Sequence, residues 1–461
     1  MSAARTLTSA DLLPHLEPHL QAPHWIIALS GGCDSVVLLH LLAQLRQLRP
    51  LPPLLALHVN HQLHPDAGQW QAWCTACCQR LAIPLVSHTV VVDAAHAGIE
   101  AAARQARYQV FTQQLGCDGV LLTGHHQDDQ AETLLLQLMR GCGVQGAAAM
   151  PLQRRLGAGW LLRPLLGWRR QQLHDYARQA GLSWLNDPAN QQLHYDRNYL
   201  RHEVIPALSE RRQGVVSALA RSTHHFAEAA TLLDELALID WQRGSETAPQ
   251  RLAISQLQQL SEARAKNLLR YWLRQQGVVP PETAQLQAIL HDMLTAAADR
   301  QPQVSWQGHT LSRYRDELYL LPQGSAKSAT AGLPSFTLND YIQEGIVPLP
   351  QGYLQFYNNA ANPLAMASEW LQRPHQVEVR WRCGGERIEL TQRGGHHRVK
   401  KLFQEAGIPQ WQRQHWPLIY IDGELALIPN LAVASHYRVD RTTGAAGGVH
   451  IHWQSQLLAD D

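Results

Sequence analysis

A chain of 461 residues is too long for a single hydrophobic core, so roughly two or three domains are expected. A hydrophobic content of 45% with 17% charged residues excludes a disordered or low-complexity chain, and a net charge of +1 neither demands nor excludes a nucleic-acid partner. Seven cysteines, an odd and scattered number, exclude a disulfide framework. No apolar run reaches the about 18 residues of a membrane span. The first residues, Met1 to Thr6, lack a signal-peptide apolar core, so a reducing cytoplasm is the expected compartment. Only four residues are Lys, at 266, 327, 400 and 401. Any protein cation meeting a phosphate in the N-terminal half is therefore Arg or His.

The first strong element is Trp25-Ile26-Ile27-Ala28-Leu29, a buried strand that runs into Ser30-Gly31-Gly32-Cys33-Asp34-Ser35 and then into the apolar helix Val36 to Leu42. Strand, glycine turn and helix form a phosphate-binding geometry, because the first helical N–H groups and the helix dipole favour an anion. The two glycines let a ligand approach the backbone. Asp34 would repel a bare phosphate, which points to Mg²⁺ between them. A Walker A loop is excluded, since no Lys follows the last Gly.

Further elements alternate. Leu54–Val59 reads as a strand, Ala67–Leu81 as a helix, Leu85–Val92 as a strand, Ile99–Leu115 as a helix, Gly119–Thr123 as a strand and Asp128–Met139 as a helix. Repeated βα units with continuous apolar strands predict a doubly wound parallel sheet covered by helices, with ligands at the strands' carboxyl ends. The Ser30 and Thr123-Gly124-His125 turns both lie at such ends. From 216 the strand signals give way to helices over Val216–Ile239, Ser255–Gln276 and Glu282–Leu294, closed by a hairpin over 303–322. Residues 326–370 read as linker and irregular strands. Short strands resume at Val377–Trp381, Leu418–Ile421 and Leu425–Ile428. The expected division is an α/β catalytic domain (1–215), a mainly helical domain (216–325) and a small α+β C-terminal domain (371–461).

A second chemical cluster, His125-His126-Gln127-Asp128-Asp129-Gln130-Ala131-Glu132-Thr133, opens the fourth helix. Asp128 and Glu132 are four apart and Asp129 and Glu132 three apart, so the acids share one face of the first turn. Any one acid there is explained by helix capping; two His, two Asp and a Glu together at a strand's carboxyl end suggest a site or a metal.

Together these stretches resemble the tRNA(Ile)-lysidine synthetase family of PP-loop ATP pyrophosphatases. Four other segments carry the resemblance: Gly98 to Tyr108 with Arg104 and Arg107, Arg163-Pro164-Leu165-Leu166, Asn186-Asp187-Pro188-Ala189-Asn190 followed by Arg197-Asn198 and Arg201, and Gly394 to Phe403 in the last domain. Ala189 stands where the family pattern has Ser. The resemblance implies adenylation of a wobble cytidine by ATP, release of pyrophosphate, and attack by lysine with loss of AMP. It implies that Ser30, Gly31, Gly32, Cys33, Asp34 and Ser35 form the ATP-binding turn, with no side-chain chemistry for Cys33. Asp34, Asp128, Asp129 and Arg107 become the catalytic candidates, with Asp34 also holding Mg²⁺. Asp129, Glu132, Arg197 and Arg201 become the lysine- or substrate-binding candidates. The implied partners are lysine, ATP and an isoleucine tRNA with a CAU anticodon; the sequence also allows a homodimer.

Residues 371–416 carry nine Arg or Lys against four acids, interleaved with Trp381, Trp411 and Trp416. Cations with aromatics suit phosphate contact and base stacking, and a basic domain surface is the simpler account. Arg393, Arg398, Lys400 and Lys401 are the tRNA-binding candidates. Two alternatives stand beside this reading. Cys74-Thr75-Ala76-Cys77-Cys78 raises a PP-loop tRNA thiolase with an iron–sulfur cluster, but no second Cys-x-x-Cys supplies further ligands. A non-catalytic nucleotide- or RNA-binding scaffold is opposed by the intact acids at 34, 128, 129 and 132.

Overall fold

The computed structural model describes residues 6–92, 99–243, 251–297, 300–321, 336–337, 345–349, 351–372, 375–390, 394–439 and 447–455. The chain packs as two units, 1–233 and 234–461.

The first unit is built on a six-stranded sheet. Its strands are β1 (Trp25–Ala28), β2 (Leu54–Asn60), β3 (Leu85–Thr89), β4 (Val120–Leu122), β5 (Gln153–Leu156) and β6 (Gly159–Leu162), in the order β3-β2-β1-β4-β6-β5. All neighbours are parallel except β5 and β6, an antiparallel hairpin at the edge. The chain winds outward from β1 in both directions, so the crevice between the ends of β1 and β4 is the switch point where such sheets bind ligands. Both faces are buried. Trp25, Ile27, Val120 and Leu122 pack on α1 (Cys33–Leu48), whereas Ile26, Leu57 and Leu121 face Val110, Phe111 and Leu115 of α3 (Ile99–Leu115). The period-2 alternation of a strand thus feeds two cores. Val37, Leu38, Leu41 and Leu42 of α1 are fully buried. At about 1.5–3 kcal/mol per buried aliphatic side chain, they fix the helix on which the phosphate turn depends.

The longer remaining helices before residue 190 are α2 (Ala67–Arg80), α4 (Gln127–Met139) and α5 (Arg170–Gln179). A helical stretch follows: Asp196–Tyr199, a π-helical Leu200–Val204, then Ile205–Arg211. The 28-residue α6 (Val215–Gln242) comes next.

In the second unit, β7 (Arg251–Ala253) joins β8 (Gln303–Trp306), β9 (His309–Tyr314) and β10 (Glu317–Leu321) in one antiparallel sheet. The predicted helix over 255–276 is therefore broken: a short helix Ile254–Gln258 precedes α7 (Glu262–Gln275), which starts after Ser261. Together with α8 (Thr283–Thr295), these elements enclose Leu252, Leu268, Trp272, Ile289 and Leu318. Part of the stretch expected as linker is sheet. Ile346–Leu349, Gly352–Asn358 and Ala365–Ala367 assemble with Gly448–Ser455, because Val347, Leu354 and Met366 are buried against Ile451 and Trp453. The same core takes in the strands Val377–Trp381, Pro417–Ile421 and Glu424–Ile428 and the helix α9 (Val399–Glu405). No helix among the described residues is long and apolar enough to cross a membrane.

Candidate active site

The turn after β1 is closed by its own serines. Ser35 Oγ donates to Gly32 O at 2.9 Å and lies 3.1 Å from Ser30 Oγ, which accepts the Gly32 N–H at 3.3 Å. Gly31 has φ +86°, and a Cβ there would lie 2.6 Å from Leu185 Cδ1, so conformation and space both require glycine. Its carbonyl accepts the Leu185 N–H at 2.9 Å, tying the turn to the 185–190 segment. Gly124, after β4, has its missing Cβ 2.9 Å from the Asp34 carbonyl, so the second turn rests directly on the first turn of α1.

His126 sits between the two turns, 1% exposed. It caps α4: its Nδ1 accepts the Asp129 N–H at 3.4 Å, while its own N–H donates to Asp129 Oδ2 at 3.0 Å. The ring's Nε2 lies 3.5 Å from both Asp34 Oδ2 and Asp129 Oδ2. Burial opposes its charge, but Asp129, Asp34 and Asp128 outweigh burial and raise its pKa. Its neighbour His125, held to Thr123 Oγ1 at 2.8 Å, is pulled down to about 3, by burial first and then by Arg163, Arg197 and Arg104 against the opposing pull of Asp129. The pKa values of the adjacent histidines are thus shifted in opposite directions.

The acids of α4 divide. Asp128 accepts from Arg169 Nε at 3.1 Å, Arg169 Nη2 at 3.3 Å and the Arg170 N–H at 2.8 Å, and does not line the cavity. These contacts tie Asp128, one of the catalytic candidates, to the start of α5. Glu132, 1% exposed, accepts from Arg197 Nε at 2.8 Å, Arg201 Nε at 2.6 Å and Arg201 Nη2 at 2.9 Å. Asp129 accepts from Arg197 Nη2 at 2.9 Å and Arg201 Nη2 at 3.2 Å. Burial alone would raise the Asp129 pKa; His126, Arg197, His125 and Arg201 reverse that and hold it well below the carboxylate range. The four substrate-binding candidates thus form one buried network, of which Asp129 and Arg197 reach the cavity and Glu132 and Arg201 lie behind.

That cavity, of about 630 Å³, is lined by Ser30, Gly32, Asp34 and Ser35 on one side and by Arg104, Arg107, Asp129 and Arg197 on the other. Four further lining residues, His58, Asn60, His61 and Trp70, were not singled out from sequence. The available signal was the polar run His58 to His61 at the carboxyl end of an apolar strand. Burial, with Arg107 nearby, takes His61 down to about 4.

Asp34 fits a hard cation. Among the described residues its buried Oδ1 has no hydrogen-bond partner, while Oδ2 faces His126. Cys33, Asp34 and His174 also bring ligand atoms within 4.8 Å of one another, but burial, then Asp34, pushes the Cys33 thiol up to about 12, which disfavours the thiolate a soft metal needs. Cys74, Cys77 and Cys78 are buried free thiols; burial first drives Cys74 and Cys78 up to about 12. They pack as small apolar groups. In the second unit Arg398, Lys400 and Lys401 are exposed, and Arg393 lies outside the described residues.

A mostly parallel sheet with this turn at its switch point defines a PP-loop protein, and the PP-loop domain family model matches residues 6–208. The models of the TilS substrate binding domain and the TilS substrate C-terminal domain match residues 252–319 and 377–453. The chain is 39% identical over 431 residues to the tRNA(Ile)-lysidine synthase of Coxiella burnetii, covering 93% of this chain and 94% of that one. It is 40% identical over 443 residues to the protein of the same name from Alkalilimnicola ehrlichii, covering 95% and 96%. For that of Serratia proteamaculans the figures are 39% over 448 residues, covering 97% and 99%. The chain belongs to the tRNA(Ile)-lysidine synthase family, which favours that reading over a thiolase.

Proposed function

We propose that this protein uses ATP to join L-lysine to C2 of the wobble cytidine of an isoleucine tRNA with a CAU anticodon, forming lysidine. One observation carries the reading: a phosphate-binding turn and an Arg/Asp network face each other across one cavity at the sheet's switch point. The N–H groups of Gly32, Cys33 and Asp34, with the Ser30 and Ser35 hydroxyls, hold the leaving pyrophosphate. Mg²⁺ bound at Asp34 would neutralise charge at the α-phosphate. Arg107, and Arg104 at the rim, stabilise the phosphate of the adenylated cytidine. The cytosine 2-oxygen attacks the α-phosphate and pyrophosphate leaves; the lysine ε-amine then attacks C2 and AMP leaves.

Asp129 attracts the lysine ammonium and orients the amine, which must lose a proton to become nucleophilic. Arg197 pairs with the substrate's carboxylate, and Glu132 with Arg201 holds Asp129 and Arg197 in place. Residues 1–215 are the catalytic part, and 216–325 and 371–461 hold the tRNA, through Arg393, Arg398, Lys400 and Lys401 in the last. Incorporation of radiolabelled lysine into total tRNA, with ATP and Mg²⁺, tests this. Label in one isoleucine tRNA, lost in Asp34→Ala, is expected. No label, with ATP-dependent sulfur transfer instead, would move the protein to the thiolases.

A further inference from the structure

The second unit contains a separate cavity of about 390 Å³, at the seam between the β9 hairpin and the C-terminal module. Tyr314 comes from β9, whereas Arg382, Lys400, Gln404, Gln410 and Arg413 come from the C-terminal side. None of the described residues lining it is acidic. Three cations and several side-chain amides converge on one hollow, and the carboxylate of Glu386 pairs with one of them, Arg382, from outside the lining.

The two arginines are held in place. Arg413 is 6% exposed; its Nε donates to Ile408 O at 2.6 Å and its Nη2 to Tyr314 Oη at 3.0 Å, which aims the rest of the fork. Burial, then Arg382 and Arg315 against the opposing pull of Tyr314, draws the Arg413 pKa down, so this guanidinium gains from an added anion. Arg382 Nε is ion-paired with Glu386 Oε2 at 3.6 Å, too long for a hydrogen bond, while Glu386 Oε1 takes the Cys383 and Gly384 N–H groups at 2.6 Å. Arg315 Nη2 donates to Gln404 O at 2.6 Å, pinning the helix that carries Lys400 and Gln404 to the hairpin. Pre-oriented Arg forks with amide donors match the oxygens of a phosphate group.

We propose that this cavity is a phosphate-binding subsite that takes one backbone or terminal phosphate of the RNA substrate at the seam of the two modules. The choice of RNA rests on the function proposed above. It is favoured by the exposed Arg398 and Lys401, which flank the cavity-lining Lys400 in sequence and add positive charge for a phosphate chain. A phosphate seated there touches both modules at once, so the site reports their joint engagement.

The test uses the full chain and an unmodified isoleucine tRNA in a filter-binding assay across salt concentrations. Gln404→Glu keeps the side chain's size but puts a carboxylate at the cavity; Lys400→Gln removes one exposed cation without disturbing the core. Gln404→Glu is expected to weaken tRNA binding by about tenfold or more at 0.1 M salt, with ATP binding and melting temperature unchanged. Lys400→Gln is expected to lower the slope of log affinity against log salt by about 1, the loss of one phosphate contact. Wild-type tRNA binding with unchanged affinity in Gln404→Glu would overturn the subsite alone, and an unchanged slope in Lys400→Gln would remove Lys400 from the tRNA contacts as well. Absence of tRNA binding by the wild type would overturn the proposed function and the subsite with it. Thermal stabilisation by inorganic phosphate or pyrophosphate that Gln404→Glu abolishes, with tRNA affinity intact, would identify a site for free anions and overturn the RNA assignment.

Discussion

Gly124→Ala separates packing from chemistry at the junction of the two turns. The glycine is not left-handed, so the backbone itself accepts alanine. The obstacle is space: the new methyl would stand 2.9 Å from the carbonyl carbon and oxygen of Asp34 and 3.1 Å from the Ser35 nitrogen. These are backbone atoms on the first turn of a buried helix, and no side chain can rotate away. Ordinary contact needs roughly half an ångström more, so the turn after β4 must retreat from the phosphate turn by about that much. Overpacking of this kind costs about 1–3 kcal/mol, offset by about 0.4–1 kcal/mol from a less flexible unfolded chain. The net loss of about 1–2 kcal/mol lowers the melting temperature by about 2–8 °C. Activity is expected to suffer more, because misplacing reacting groups by about 1 Å costs about 100-fold; about 10- to 100-fold in kcat follows. Thermal melts and tRNA-dependent pyrophosphate release measure the two. Gly68→Ala, on α2 with nothing within 4 Å of its Cβ position, is the control and is expected to be neutral or stabilising. A Gly124→Ala protein with wild-type kcat and melting temperature would refute the proposed contact between the turns.

Glu132→Gln removes a carboxylate that accepts three guanidinium hydrogen bonds. Breaking a buried pair costs about 3–5 kcal/mol, discounted because Arg197 and Arg201 keep 28% and 19% side-chain exposure. A loss of about 2–3 kcal/mol in denaturant titration is expected, and one below about 0.5 kcal/mol would contradict the network's role. The depressed Asp129 pKa makes an acid limb: the stabilisation is complete above its ordinary pKa of 3.8 and drains away as pH falls toward the lower folded-state value. Unfolding midpoints measured from pH 2 to 7 should fall below about pH 4, and Asp129→Asn should flatten that limb. Charge reversal of both Lys400 and Lys401 should weaken tRNA binding in a filter assay while ATP binding stays intact.

The PP-loop half was legible because its signals are local. An apolar strand, a glycine turn and an apolar helix lie within 18 residues, and the strands repeat the same pattern. The β5–β6 hairpin was not read, since Gln153-Arg154-Arg155-Leu156 is a polar edge strand with little apolar alternation. The three-residue β7 owes its existence to a partner more than sixty residues later, at Glu317–Tyr319, which no local pattern announces. The site divides in the same way. Asp129 and Glu132 were found as a helix face, but their arginines stand 65 to 72 residues away in sequence. The π-helical turn at Leu200–Val204 carries Arg201, and sequence spacing gave no sign of it. Which acid is engaged and which is open depended on those distant arginines.

That engagement assigns different fates to adjacent aspartates. An ammonium entering the cavity meets carboxylates already paired with guanidinium. Asp128, Asp129 and Glu132 all accept charge-assisted hydrogen bonds worth about 1.5–3 kcal/mol each, so position decides, and Asp128 and Glu132 lie outside the cavity lining. Asp129 lines the cavity, and Asp34 keeps an oxygen without a partner. Substitution by Asn should therefore separate the three. Asp128→Asn loses the Arg169 and Arg170 contacts and should lower the melting temperature while leaving the KM for lysine within about twofold. Asp129→Asn should raise that KM by about tenfold or more, the size of one charged hydrogen bond. Asp34→Asn should lower kcat and steepen the Mg²⁺ requirement with little change in lysine KM. Steady-state lysine incorporation at varied lysine and Mg²⁺ resolves these effects, and a raised lysine KM in Asp128→Asn with Asp129→Asn unaffected would reverse the assignment.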